Sequence, residues 1–210
     1  MVMLPDEQLL QALALGKICL HPAGTLPGLT CRLDDSEVVD RLLALKGRTK
    51  AKPFIGLVPS LTKAISYWQP ISRDWQAALE SSWPGPLTVI ARANHSSPIT
   101  GENQTLALRV PNFSTADNWM YRVLEQMDTP LLSTSVNFSG EKAATNWQEA
   151  VSFAQKNNIF VPSLAVQSNA LGVPSTVIEI LDQDAFVLLR SGGFDVESLK
   201  KFGLSSKVRS

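Results

Sequence analysis

Apolar positions recur along this chain with two periods, one near 3.6 residues and one near 2, and the two alternate from end to end. In "PDEQLLQALALG", Leu9, Leu10, Leu13 and the alanines fall at helical spacing, opened by Pro5 and closed by Gly16. "KICLH" reads as a short strand that runs into the loop "HPAGTLPGLT". "SEVVDRLLALKGR" carries a stripe of Val38, Val39, Leu42, Leu43 and Leu45 behind Asp35 or Ser36 as cap, which predicts a helix. "FIGLVPS" predicts a buried strand, and "SRDWQAALESSW" a helix stopped by Pro84-Gly85-Pro86. "LTVIAR" and "TLALRVP" predict strands, and "TADNWMYRVLEQM" a helix capped by Ser114 or Thr115. "PLLSTS" reads as a strand entering the polar loop "VNFSGEKAATN", and "WQEAVSFAQKN" as a helix. Three β-type runs, "LAVQS", "STVIEIL" and "AFVLLRSGG", precede a last helix, "DVESLKKFG". Strands mixed with helices throughout predict an α/β fold: one domain over residues 1–210, with a twisted mixed sheet flanked by helices. The last two β-runs should form an antiparallel hairpin.

Composition removes several function classes. The chain has 44% hydrophobic and 18% charged residues, a net charge of zero and no biased tract, which argues against a surface for indiscriminate nucleic-acid binding. Asp6 and Glu7 stand where a secretory leader carries basic residues, and no stretch approaches the roughly 20 apolar residues of a membrane span. A cytoplasmic protein with no membrane partner is expected. Cys19 and Cys31 cannot make a framework of disulfides, and with His21 and His95 they lack metal-ligand spacing, so no metal site is expected.

Candidate chemistry gathers in polar loops at strand ends, where open α/β sheets build ligand sites. In "LKGRTKAKPF", Lys46, Arg48, Lys50 and Lys52 leave a helix end without an acidic neighbour; they either meet the helix's terminal carbonyls or gather phosphate oxygens. Ser133, Thr134, Ser135 and Asn137 in "STSVNFSG" offer hydroxyls and an amide to an anion, or satisfy a turn of their own. Arg109 and Arg190 each end an apolar strand, where an arginine is paired or awaits an anion. There is no P-loop, no GxGxxG and no GxSxG. Taken alone, His21 reads as a packed strand-end residue, and the tryptophans as core.

Together these loops resemble the YrdC/TsaC family, the threonylcarbamoyl-AMP synthases, from about residue 7 to about residue 194. "LKGRTKAKPF" is similar to the family's KxR…KP segment, "SSWPGPLTVIAR" to its WPGPxT segment and "LALRVP" to its RxP strand end. "LLSTSVNFSG" resembles its STSAN-x-SG loop, and "PSTVIEI" and "VLLRSGG" its STV and RxG segments, in family order. The resemblance implies one YrdC-like domain around a positively charged cavity, with no second, C-terminal domain. It implies joining of L-threonine, bicarbonate and ATP into threonylcarbamoyl-AMP with release of pyrophosphate, for threonylcarbamoyladenosine modification of tRNA. Partner proteins of tRNA modification, and tRNA or double-stranded RNA itself, are implied as partners, and Mg2+ as the companion of ATP. Lys46 and Arg48 would be catalytic; Lys52, Arg109, Ser133, Thr134, Ser135, Asn137, Ser175 and Arg190 would bind nucleotide and phosphate; and Thr25 would meet the amino acid. In the opening loop, Ala23, Gly24 and Pro27 stand where the family has a threonine, an acid and an aromatic. That departure supports a second reading, a relative that binds nucleotide or double-stranded RNA without this activity.

Overall fold

Nine strands join in one sheet, ordered β1-β2-β6-β3-β5-β4-β7-β8-β9, in a computed structural model that describes residues 3–47, 54–96, 100, 103–163 and 172–208. The elements run α1 (Pro5–Ala14), β1 (Cys19–His21), β2 (Gly28–Thr30), α2 (Ser36–Lys46), β3 (Ile55–Leu57), α3 (Leu61–Tyr67), α4 (Arg73–Ser82) and β4 (Leu87–Arg92). They continue with β5 (Thr105–Arg109), α5 (Trp119–Gln126), β6 (Leu131–Ser135), α6 (Trp147–Lys156), β7 (Thr176–Ile180), β8 (Ala185–Arg190) and β9 (Ser205–Ser206). The sheet is mixed: β3 with β5, β4 with β7 and β8 with β9 are parallel, and the other pairs antiparallel, including the β7–β8 hairpin.

Side-chain alternation gives the sheet two unlike faces. Leu132, Gly56, Leu108, Val89 and Ile178 lie side by side in register on one face. Leu132, Leu108, Val89 and Ile178 join Trp68, Trp75, Trp83, Leu79, Val38 and Leu42 in the larger core, so Trp75 on α4 and the helix-end Trp68 and Trp83 are packing residues. The opposite face is divided. Leu57 and Leu131 sit beneath α1 and α5, in a second core with Leu9, Leu13, Trp119 and Met120. Arg122 on α5 reaches the Asp6 carboxylate on α1 at 2.6 Å, fastening these two helices across their exposed edge. Further along, Ser133, Ile55, Ala107 and Ile90 form a register row with no helix over it among the described residues.

Local signals explain the helix ends. The Asp35 carboxylate accepts from the Val38 amide to open α2, and Ser72 does the same for Trp75 at α4. Some elements differ from the sequence pattern. Residues 28–30, expected to be loop, form β2, because Gly28 and Leu29 complete hydrogen-bonded pairing between β1 and β6. The helix α3 has too few turns to show an apolar stripe; Ser60 caps it. The helix expected from Ser114 or Thr115 begins as a 3-10 turn, Thr115–Asp117, before α5, and the last expected helix is the 3-10 segment Val196–Phe202. The run "LAVQS" lies outside the described residues.

Candidate functional site

A cavity of about 220 Å³ opens over the uncovered row. Its floor is Ile55, Ala107 and Ile90, small and aliphatic side chains contributed by β3, β5 and β4. Its walls are the opening loop (Ala23 to Gly28), the end of β6 (Ser133 to Ser135), and Pro174, Ser175, Val177 and Arg190. Arg109 stands at the end of β5, two residues beyond Ala107 and so on the same side of the strand. Arg109, Ser135 and Arg190 thus reach the cavity from strand ends, while Thr25 comes from the opening loop and Ser133 from within β6.

Arg109 is buried, and its guanidinium holds the opening loop: Nη1 donates to Thr25 Oγ1 at 2.7 Å and Nη2 to the Ala23 carbonyl at 2.5 Å. Its Nε, also buried, has no hydrogen-bond partner. Burial, and secondarily the Arg190 charge, push its pKa down to about 10, so the guanidinium remains charged at neutral pH. Arg190 donates to the Ser175 carbonyl at 2.8 and 3.0 Å and to Ser175 Oγ at 3.0 Å, and burial lowers its pKa as well. Ser175 Oγ in turn shares a hydrogen bond of 2.8 Å with Thr88 Oγ1 on β4. Among the described residues neither arginine has a carboxylate partner and none that lines the cavity is acidic. Two cations that repel each other in a partly dry pocket are relieved by an anion.

Lys46, at the end of α2, is fully buried beside the cavity but does not line it. Its Nζ donates to the Ser135 carbonyl at 2.6 Å, the Asn137 carbonyl at 2.7 Å and the Asn137 Oδ1, with a longer contact to Ser135 Oγ at 3.4 Å. Ser135 Oγ donates to Asn137 Oδ1 at 2.7 Å. These contacts gather protein oxygens around the ammonium and fix the turn after β6. Gly47, at φ +57°, closes the helix end itself, its amide donating to the Leu43 and Ala44 carbonyls.

Among the expected site residues, the structure brings Thr25, Arg109, Ser133, Thr134, Ser135, Ser175 and Arg190 to one cavity, with Lys46 and Asn137 directly behind Ser135. Arg48 and Lys52 lie outside the described residues, as does Lys50. Sequence reasoning did not find His21 or Thr88 as neighbours of the site. His21 is fully buried, with Nδ1 3.0 Å from the Pro22 carbonyl and Nε2 3.2 Å from Ser133 Oγ. Burial pushes its pKa down to about 4, so the ring is neutral near pH 7. Its partner across the strands is Gly28, where a Cβ would stand 2.6 Å from Nε2; only glycine lets the ring and Ser133 meet. The buried thiols of Cys19 and Cys31 are free and are pushed up to about 12, so neither is a thiolate nucleophile. Among the described residues no cluster of His, Cys, Asp or Glu could hold a metal ion, and no helix is long and apolar enough to cross a membrane.

Known proteins share this sequence and architecture. A protein from Pseudoalteromonas translucida named threonylcarbamoyl-AMP synthase is 34% identical over 67% of this chain and 75% of its own. A Pyrococcus abyssi protein of the same name is 29% identical over 89% of this chain but 53% of its own, so the chain spans about half the length of that relative. The structure of P. abyssi Sua5 complexed with L-threonine superposes with a TM-score of 0.79 at 25% identity, covering 99% of this chain and 61% of that one. Escherichia coli YciO shares the fold, with a TM-score of 0.75 at 19% identity over 93% and 92% of the two chains. The family described as "Telomere recombination" (Sua5/YciO/YrdC) matches residues 11–192. The chain therefore belongs to the Sua5/YciO/YrdC family.

Proposed function

We propose that this chain is an L-threonylcarbamoyl-AMP synthase, a nucleotidyltransferase that supplies threonylcarbamoyladenosine modification of tRNA. The observation that carries the reading is the pair of arginines without carboxylate partners, set among hydroxyls in one cavity, in a chain whose curated relatives bear that name. In the reaction, the threonine amine attacks the carbon of bicarbonate, water leaves, and a carbamate forms. A carbamate oxygen then attacks the α-phosphorus of ATP, and the bond to pyrophosphate breaks. Negative charge builds on the carbamate, the α-phosphoryl oxygens and the leaving group, so fixed cations supply most of the catalysis. Arg109, held in place by Thr25 and the Ala23 carbonyl, and Arg190, held by Ser175, are such cations. Thr134 adds a hydroxyl from the β6 terminus, Ser135 keeps its own proton on Asn137 Oδ1, and Lys46 holds that terminus in place through Ser135 and Asn137. Mg2+ belongs to this chemistry as the companion of the ATP phosphates; among the described residues the cavity wall supplies no carboxylate to hold it separately.

Pyrophosphate release by the purified protein tests the reading. Release from ATP that requires both threonine and bicarbonate is expected. Tight nucleotide or double-stranded RNA binding without such release would replace it with the non-catalytic alternative.

A further inference from the structure

We propose that His21 is a positioning residue that turns the Ser133 hydroxyl into a hydrogen-bond acceptor toward the cavity, so that this wall receives the amine of the substrate rather than an anion. The assignment to an amine rests on the function proposed above; the orientation of the hydroxyl does not.

The orientation follows from hydrogen-bond accounting. The Pro22 carbonyl can only accept, and it lies 3.0 Å from His21 Nδ1 in a fully buried setting, so Nδ1 carries the ring's proton. A neutral imidazole has one N–H, which leaves Nε2 bare. The contact of 3.2 Å between Nε2 and Ser133 Oγ is then satisfied in one direction only: the serine donates. With its single proton committed to the ring behind it, Ser133 Oγ offers only lone pairs to a ligand in the cavity it lines. The arrangement has little freedom, because Gly28 packs against both groups; a Cβ there would lie 2.6 Å from Nε2 and 2.9 Å from Ser133 Oγ.

This polarity complements the rest of the wall. Arg109 and Arg190 offer only donors, and among the described residues no lining side chain is a carboxylate, so an ammonium or amine entering the cavity meets no anionic acceptor from them. A serine locked as an acceptor is a neutral substitute: it takes an N–H from the amine and does not compete with the arginines for a carboxylate or phosphate. It also leaves the amine free to lose its proton, as attack on bicarbonate requires, because no negative charge stabilises the ammonium form. The chemical class selected at this wall is thus a primary amine adjacent to an anion.

Two measurements on the full chain test the proposal separately. Long-range 1H–15N correlation of the histidine-labelled protein near pH 7, assigned with the His95→Gln variant, should show His21 protonated on Nδ1 and bare on Nε2. The opposite tautomer, or an imidazolium, overturns the orientation. Binding of threonine is then compared with β-hydroxybutyrate, which is threonine without its amine. The preference for threonine should fall about tenfold in both Ser133→Ala and His21→Phe, and return in His21→Gln, whose Oε1 can accept near the place of Nε2. An unchanged preference in a folded His21→Phe or Ser133→Ala overturns the assignment of the amine. If the wild-type chain binds neither ligand, the amine assignment falls with the proposed function, and the tautomer still decides the orientation of Ser133.

Discussion

Leu57 and Leu131 lie two residues along from Ile55 and Ser133 on the same two strands, β3 and β6, and on the same face of the sheet. One pair is sealed beneath α1 and α5; the other looks into the cavity. The strands continue without interruption, so the difference lies in what covers them and in the side chains presented. Under the helices Leu9, Leu13, Leu57, Met120 and Leu131 are apolar, and their burial stabilises the fold at about 25 cal/mol per Å². Beyond the helix edge the same alternation presents Ser133, Ser135, Ala107 and Arg109, which contribute little to a core and are placed by its rigidity. A site built this way inherits its precision from packing a few ångströms away.

The largest effect should come from damaging the covered end. Leu131→Ala removes a fully buried side chain between α1 and α5, and should cost about 2–5 kcal/mol in urea denaturation. At the open end the balance reverses. Arg109→Met should lower threonine-dependent pyrophosphate release by about 100- to 1,000-fold, by loss of a placed cation. Its urea midpoint should move much less than that of Leu131→Ala, because a buried charge lacking a carboxylate partner is removed; equal losses of stability would erase the distinction between the two ends.

His21 supplies a pH handle on the boundary between them. Its folded pKa, about 4, lies below the ordinary value of 6.5, so the unfolded ring takes up its proton first as pH falls. The contribution to stability is complete above about pH 6.5 and is lost as pH falls toward about 4, roughly 3 kcal/mol in all. Urea midpoints at about pH 7 and about pH 4 should show that loss in the wild type and a smaller one in His21→Gln. The smallest effect belongs to the opening loop. Gly24→Asp, which restores the family's acid, should cost about 1–3 kcal/mol in thermal unfolding, because residue 24 has φ +75° and its Cβ would lie 2.4 Å from the Asn112 carbonyl oxygen. A stable Gly24→Asp protein would mean that the loop shifts to make room.

Much of the site was legible in the sequence because its polar groups interrupt apolar strands. Arg109 and Arg190 end runs of aliphatic residues, and "LLSTS" changes character at the residue where the helix cover stops. The cavity floor was not legible. Ile55, Ile90 and Ala107 are residue types that a core also uses, and only the register between β3, β5 and β4 brings them to the open end. His21 was visible as a packed strand-end residue, but its link to Ser133 depends on two strand pairings 112 positions apart in sequence. Strand β2 and helix α3 were missed for a simpler reason: three and seven residues are too short for a period to declare itself.

The left-handed turn at Gly24 ties two loops together. Any side chain there meets an unfavourable backbone angle and the Asn112 carbonyl in its path, so a substitution at this position presses on the segment around Asn112 as well. Because Arg109 donates to the Ala23 carbonyl and to Thr25 on either side of Gly24, strain at that one turn is passed directly to the anchor of the cavity's buried arginine.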